Sequence, residues 1–573
     1  MRPRTGFVSR PRIQTATVDP CPNAVFWTPV TRMSTSTPET APSHPPATAS
    51  STSAAQTHAQ NQTEVFAVHG ADPEVLAYAM AKYSRSSLSM RQSLRELNAQ
   101  RAEQFLNTFY FQYGHRSIAD LAHVAFAIER LSLLAAIVLV DEQRWDGQER
   151  STRYQNFLKS GWYLPDFGHA AEPRALYTKT VEGLFAAYAS TSSAVFEALK
   201  ARVACPPEMK QDAYERTLKA RAFDVARYLL PLATNTSLGQ IVNARTLETQ
   251  VSRLLSHPAG EVRDLGQKLR EAATGPAWNL YAEDFAALQG KIAGLSPDLA
   301  AESEALLTRK VHASPTLVKY AQPNPYEQQS KAELTQAAAE LLDGVAIAPA
   351  PMVDLVERTE SLEVELAATL IYSASHHSYR QIRDLVAALP EPRVAELVEM
   401  GLRHRGRHDE LLRAFHAGAG LRFDILMDIG GFRDMHRHRR CTQIIQDFTP
   451  LHGYDTPHAG DAAGLAEAGI LEQYRASMEA AFAASRAIAA SDAPQAAHSA
   501  MYVLPLATRI RSLFKMDFAQ AVYISELRSG PAGHFSYREV AWEMFKAVKR
   551  QHPSLARYFR VTDFTQPIDL LKR

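Results

Sequence analysis

Apolar residues recur three or four positions apart along Thr178–Leu199, Ala213–Leu230, Glu472–Ala489 and Tyr537–Lys549. That spacing predicts helices that bury one face and leave the other in water. Val124–Ile128 and Leu421–Met427 are shorter and predict strands. The longest apolar run, Leu133–Val140, is eight residues, far short of the roughly 20 that a membrane-spanning helix needs. It predicts a buried helix. The mixture points to an α+β protein, rich in helix with a smaller sheet component.

The pattern occurs twice. Tyr83-Ser84-x-Ser86-x-x-Ser89-x-Arg91-Gln92 recurs 289 residues later (372 − 83) as Tyr372-Ser373-x-Ser375-x-x-Ser378-x-Arg380-Gln381. Leu230-Pro231-Leu232-Ala233-Thr234 recurs as Leu504-Pro505-Leu506-Ala507-Thr508, and Pro258-Ala259-Gly260 as Pro531-Ala532-Gly533. Three landmarks in one order and with nearly one spacing indicate an internal duplication, which also supplies a comparison within the chain. The expected domains are residues 64–330 and 348–573, with the Ala348-Pro349-Ala350-Pro351 stretch at the junction. Each is long enough to bury its own core.

Composition narrows the function classes. The chain has 573 residues, 46% hydrophobic and 21% charged, and its net charge is +1. That balance is ordinary for a globular protein and argues against nucleic-acid or membrane-surface binding. Cys21, Cys205 and Cys441 form no pair at metal-binding or redox spacing, which indicates a reducing, cytoplasmic setting with neither disulfide framework nor metal. Residues 1–62 hold little apolar material and are expected to be a disordered tail. Their arginines, serines and scarcity of acids would also suit a transit peptide, and Met33 is an alternative start.

Common nucleotide and hydrolase signatures are absent, and Gly418-Ala419-Gly420 is only a fragment of a dinucleotide fingerprint. Two other segments stand out: Arg437-His438-Arg439-Arg440, and Gly147-Gln148-Glu149-Arg150-Ser151-Thr152-Arg153-Tyr154. Arginine offers a fixed fork of donors to a phosphate and a flat face for stacking, and hydroxyl and imidazole groups add further contacts. A short basic run is commonly a solvated face. This one follows the largely apolar Leu421–Ile429 and therefore emerges beside a packed element. Ser151 with Arg153 reads equally as a helix cap with a surface charge, and Cys441 as a packed thiol or as a lowered-pKa nucleophile.

The pattern resembles the flavin-dependent thymidylate synthases. Their signature is Arg-His-Arg, two residues, Ser, four residues, Ser, one residue, Arg, usually followed by Tyr. The second repeat matches its opening with Arg437-His438-Arg439 and Thr442, then departs at Asp447, Thr449 and Pro450. The first departs at Asp141-Glu142-Gln143, then matches with Glu149, Ser151, Arg153 and Tyr154. The losses are complementary. Tyr113-Gly114-His115-Arg116-Ser117 resembles the family's flavin-contacting segment better than the region around His408 does. Arg227 stands at a substrate-arginine position, and Asn243-Ala244-Arg245 matches a flavin-binding motif; Met501, Asp517 and Ala519 replace them in the second repeat. Arg528 keeps a second substrate-arginine position where the first repeat has Leu254, with Arg253 beside it.

The resemblance implies an enzyme of two tandem thymidylate-synthase-complementing-type domains that methylates dUMP to dTMP. FAD would be the cofactor, with NADPH and methylenetetrahydrofolate as co-substrates. In that family the site forms between subunits of a homotetramer, so a fused pair of repeats needs one complete set of residues. A homodimer of this chain would give the equivalent four-repeat particle. Ser151, Arg153, Arg437 and Arg528 would be catalytic. Those four, with Gln148, Glu149 and Arg227, would hold the nucleotide. His115, Ser117, Asn243, Arg245, Arg437, His438 and Arg439 would meet FAD. Two alternatives are a methyltransferase of another pyrimidine nucleotide and a non-catalytic nucleotide- or flavin-binding relic. RNA binding through Arg403–His408 lacks interleaved aromatics and a basic net charge.

Overall fold

The computed structural model describes residues 66, 68 and 70–571, except for 83–89, 97–115, 320, 357–360, 407–411, 416–419, 458–463 and 557–558. The expected tail, the serines of the first landmark, His115, His408 and Gly418-Ala419 lie outside the described residues. Both repeats belong to one compact unit, His69–Arg573.

Each repeat is built the same way. In the first, strand β1 (His123–Ser132) leads into helix α1 (Leu133–Leu139), then β2 (Asp146–Glu149). Two long helices follow, α2 (Ala171–Arg202) and α3 (Gln211–Ala226), then β3 (Asn235–Asn243), α4 (Ala244–Leu255) and α5 (Gly260–Thr274). The antiparallel sheet has the order β1-β3-β2, with Phe126 and Gly147 both opposite Gln240. The second repeat adds a short edge strand, β4 (Val353–Leu355), then repeats the plan with β5 (Leu421–Asp428), α6 (Ile429–Met435), β6 (Thr442–Ile445), α7 (Leu471–Ala489), β7 (Arg509–Met516), α8 (Phe518–Ser529) and α9 (Phe535–Gln551). Its sheet has the order β4-β5-β7-β6. Helices Ala282–Leu295, Pro297–Leu307 and Pro325–Leu341 connect the two.

Helices α1, α4, α6 and α8 start at capping side chains, whereas α2, α3, α5 and α7 have none. Ser132 and Asp428 accept the amide protons of Ala135 and Gly431, and Asn243 and Asp517 accept those of Thr246 and Gln520. Apolar Leu133–Ile137 and Leu139 are buried, as expected for that run, and the two predicted strands fall inside β1 and β5. The predicted helices lie on α2, α3, α7 and α9. The helix expected over Ala213–Leu230 ends at Ala226 and finishes in a 3-10 turn, Arg227–Leu229, because Pro231 cannot donate to a continuing ladder.

The duplicated Leu-Pro-Leu-Ala-Thr segments join the repeats. Leu232 N–H donates to Leu504 O (2.9 Å) and Leu506 N–H to Leu230 O (3.0 Å); Ala233 N–H donates to Tyr502 O (2.8 Å) and Ala507 N–H to Tyr228 O (3.1 Å). The pairing is self-complementary, as at the interface of a twofold dimer. One apolar core runs through both repeats, from Leu133 and Tyr177 to Leu504 and Met544. No helix among the described residues is long and apolar enough to cross a membrane.

Candidate functional site

Arg153, Arg227 and Arg528 gather where the end of α3 meets α6, α8 and α9. Arg153 reaches this place because β2 pairs with β3 and the loop after it is pinned: Arg150 donates to Gln155, Asn156 O and Ser160, while the Ser151 hydroxyl accepts the Arg153 amide (3.2 Å). The buried Arg153 guanidinium donates to Asp224 at 2.8 and 3.4 Å, to the Tyr537 hydroxyl at 2.7 Å and to Ala532 O at 3.1 Å. Burial works against its charge, but Asp224 outweighs it and keeps Arg153 protonated. Most of its donors are thus already bound to protein.

Arg227 differs. It is 1% exposed and lies 3.7 Å from Asp434 on α6, yet its Nε and Nη2 have no hydrogen-bond partner among the described residues. Buried donors without acceptors are costly unless a ligand completes them. Arg528, on the last turn of α8, packs over the Tyr537 ring at 5.3 Å and donates to His438 Nε2 at 2.7 Å. Burial, reinforced by Arg528, lowers His438 to about 3, so its imidazole is neutral and accepts that bond.

Arg437, His438 and Arg439 follow α6. Arg437 is exposed, and with Arg439, Trp145, Asn243 and His123 it lines a cleft of about 480 Å³. Arg439 lies over the Trp145 ring at 4.1 Å and donates to Glu142 O (3.0 Å) and Trp145 O (3.3 Å), while its Nη2 is buried and unpartnered. Burial and the adjacent Arg437 lower Arg439 to about 10. Gly147 faces this cleft, where any Cβ would collide with the Trp145 ring and Gly239 O.

Other expected residues are placed variously. Glu149 forms an ion pair with Arg433 of α6, and Gln148 is exposed on β2. Asn243 caps α4 while lining the cleft; Arg245 lies 3.6 Å from Asp120 and lines a neighbouring cleft of about 790 Å³ that shares Gln143 and Arg144. Ser117 sits on the 3-10 turn Arg116–Leu121. Cys441 is buried, donates to His438 O at 3.0 Å, and burial pushes its thiol up to about 12, so it packs rather than reacts. Arg403 and His404 pair with Glu333. No group of three or more metal-ligating side chains occurs among the described residues.

Sequence reasoning missed Asp224, Asp434 and Tyr537. Asp224 stands three residues before Arg227 on the same helix face, a spacing that could have drawn attention to it.

The architecture is thus a duplicated α+β protein whose arginine-rich clefts take groups from both repeats. The sequence profile of the family described as thymidylate synthase complementing protein matches residues 66–275 and 354–554, and the chain belongs to that family. It is 28% identical to a UPF0159 protein of Chlamydia muridarum, over 86% of this chain and 91% of the relative, and 26% identical to a UPF0159 protein of Thermoplasma acidophilum, over 84% and 94%. A flavin-dependent thymidylate synthase of Clostridium tetani is 24% identical over 37% of this chain and 81% of its own length. Among solved structures, a UMP/dUMP methylase from Streptomyces cacaoi bound with 5-Br dUMP has 17% identity and a TM-score of 0.27, covering 36% of this chain and 87% of that one. A flavin-dependent thymidylate synthase from Helicobacter pylori complexed with FAD and dUMP has 18% identity and a TM-score of 0.21, covering 35% and 89%.

Proposed function

We propose that the chain is an FAD-dependent thymidylate synthase that converts dUMP to dTMP with methylenetetrahydrofolate and NADPH. The reading is carried by Arg227, whose buried guanidinium keeps two unpartnered nitrogens in a place built from both repeats. Family membership supports it. The one-carbon unit enters at the oxidation level of formaldehyde and leaves as methyl, so it must gain a hydride, which NADPH provides; the proton displaced from uracil C5 and one proton from solvent go to the two folate nitrogens that release the carbon.

The residues fit the cofactor. Trp145, Asn243, Arg437 and Arg439 line a cleft with a buried, unpartnered Arg439 nitrogen, suited to an anionic ligand. Bound FAD would supply hydride acceptance from NADPH and its return to the one-carbon unit. Arg227 and Arg528 would hold the phosphate and offset negative charge that develops on the uracil, using donors fixed before the substrate arrives. Arg153 would act as a positioning residue, since it ties Asp224 to Tyr537 and so sets where α9 and Arg528 stand. Neutral His438 would orient Arg528. Glu149 would hold α6, and with it Arg437, through Arg433, while Ser151 sets the turn that carries Arg153. Gln148, Arg245, His115 and Ser117 complete the proposed set.

The repeats are assigned residues 64–330 and 348–573, and two chains are expected to form a homodimer. A reaction drawing on reduced folate and NADPH suits the cytoplasm. The test is anaerobic dTMP formation by the purified chain with dUMP, methylenetetrahydrofolate, NADPH and added FAD. Turnover supports the reading. A folded protein that binds FAD and dUMP without turnover would instead be a binding relic or act on another pyrimidine nucleotide.

A further inference from the structure

The two repeats ought to create two equivalent nucleotide positions, one on each side of the local twofold. The structural correspondence is close: α1 and α6 are offset by 296 (429 − 133), β2 and β6 by the same 296 (442 − 146), and α4 and α8 by 274 (518 − 244). Arg437 and Arg153 therefore correspond to Asp141 and Thr449, and Arg528 and Arg227 to Leu254 and Met501. At the second position three cations have become neutral groups and the fourth an acid.

Four charged groups there, Asp141, Glu142, Arg253 and Arg413, are engaged in ion pairs. Asp141 forms an ion pair with Arg413 of the second repeat, whose Nη2 also donates to Asp141 O at 2.7 Å. Glu142, the counterpart of His438, accepts from Arg253 at 2.6 and 3.0 Å, so the arginine beside Leu254 is already bound. His436 lies 3.6 Å from Asp141, and Leu254 is completely buried. A phosphate there would meet a carboxylate in place of Arg437 and an aliphatic side chain in place of each inner arginine, which is unfavourable in both respects.

Resting on the function proposed above, we propose that each chain binds one nucleotide rather than two, and that the second position has become an ion-paired clamp between repeats. One complete site and one clamp also explain why each repeat keeps the residues that the other has lost.

Equilibrium dialysis of the full chain with labelled dUMP and saturating FAD tests this. A plateau at one dUMP per chain is expected; two per chain would overturn the inference while leaving the function intact. No binding by folded protein would overturn the function and this inference with it. Arg227→Met copies the residue that repeat two carries and so has a packing precedent; it should take the plateau from one to zero, and an unchanged plateau would overturn the assignment. Arg413→Ala should lower the unfolding midpoint and leave one dUMP per chain. A rise to two would mean that the ion pairs cover a working site, and would also overturn it.

Discussion

The corners at which β1 enters α1 and β5 enters α6 hold the same three chemical groups in exchanged positions. In the first, the cap is a hydroxyl: Ser132 donates its side chain and its amide to Glu261 of α5 at 2.6 and 2.8 Å, and the Tyr502 hydroxyl donates to Glu261 at 2.8 Å. In the second, the cap is the carboxylate of Asp428, and the hydroxyl comes from Ser536 of α9, with Tyr228 beside it. Tyr502 and Tyr228 are counterparts, and each lies at the corner of the other repeat. A buried corner tolerates one carboxylate surrounded by donors; two would repel, and none would leave the helix start and phenol short of an acceptor. Duplication therefore left the backbone plan fixed and let polar groups redistribute wherever the whole still balanced. The arginines of the candidate site follow the same rule on a larger scale.

The largest effect expected from breaking this complementarity is at Arg227. R227M should lower dTMP formation by roughly 100-fold or more, since a buried charged anchor is removed; steady-state kinetics at saturating FAD would show it, and a loss under about 3-fold would sink the assignment. Next comes the corner. Ser132→Asp should destabilise the fold by about 3 kcal/mol by placing a second carboxylate against Glu261. Adding Glu261→Ser rebuilds the arrangement of the other repeat and should recover most of that loss, read as a coupling energy in urea unfolding. If the double variant is no better than the sum of the single changes, the corners are not interchangeable.

Asp141 gives a smaller effect with a defined pH range. Burial would raise its carboxyl, but Arg413, His436 and Arg253 outweigh it and hold the group near 2. A group whose folded value is depressed adds stability above its unfolded value of about 4, and that stability is lost as pH falls toward 2. Asp141→Asn should therefore cost roughly 2 kcal/mol at pH 7 and converge on the unsubstituted chain near pH 2, as read by denaturant melts across that range. A pH-independent difference would contradict it. Least affected should be Cys441: with its thiol near 12, it should resist alkylation by iodoacetamide at pH 8 in the folded protein.

Much of the fold was legible because its signals are local. Apolar periodicity marked α2, α3, α7 and α9, and the strand-like runs marked β1 and β5. The repeat landmarks exposed the duplication, and one of them, Leu-Pro-Leu-Ala-Thr, proved to be the seam between the repeats. The candidate site was legible in part. Arg153, Arg227 and Arg528 were found as separate positions and do converge, but their acidic and aromatic companions were not, because Asp224, Asp434 and Tyr537 carry no motif of their own. Ser151 and Asn243 also set a turn and a helix start, local roles that residue type alone does not separate from ligand binding.

The sequence by itself determined that the chain is doubled, helix-rich and armed with complementary halves of one arginine-bearing pattern, since repetition and periodicity are properties of order along the chain. Tertiary structure alone decided which arginines remain free to meet a ligand. Arg153 is bound by Asp224 and Tyr537, whereas Arg227 keeps two buried nitrogens without acceptors. The difference lies in groups far apart in sequence, Tyr537 being 384 residues from Arg153, and a guanidinium's availability depends on every acceptor the fold brings to it.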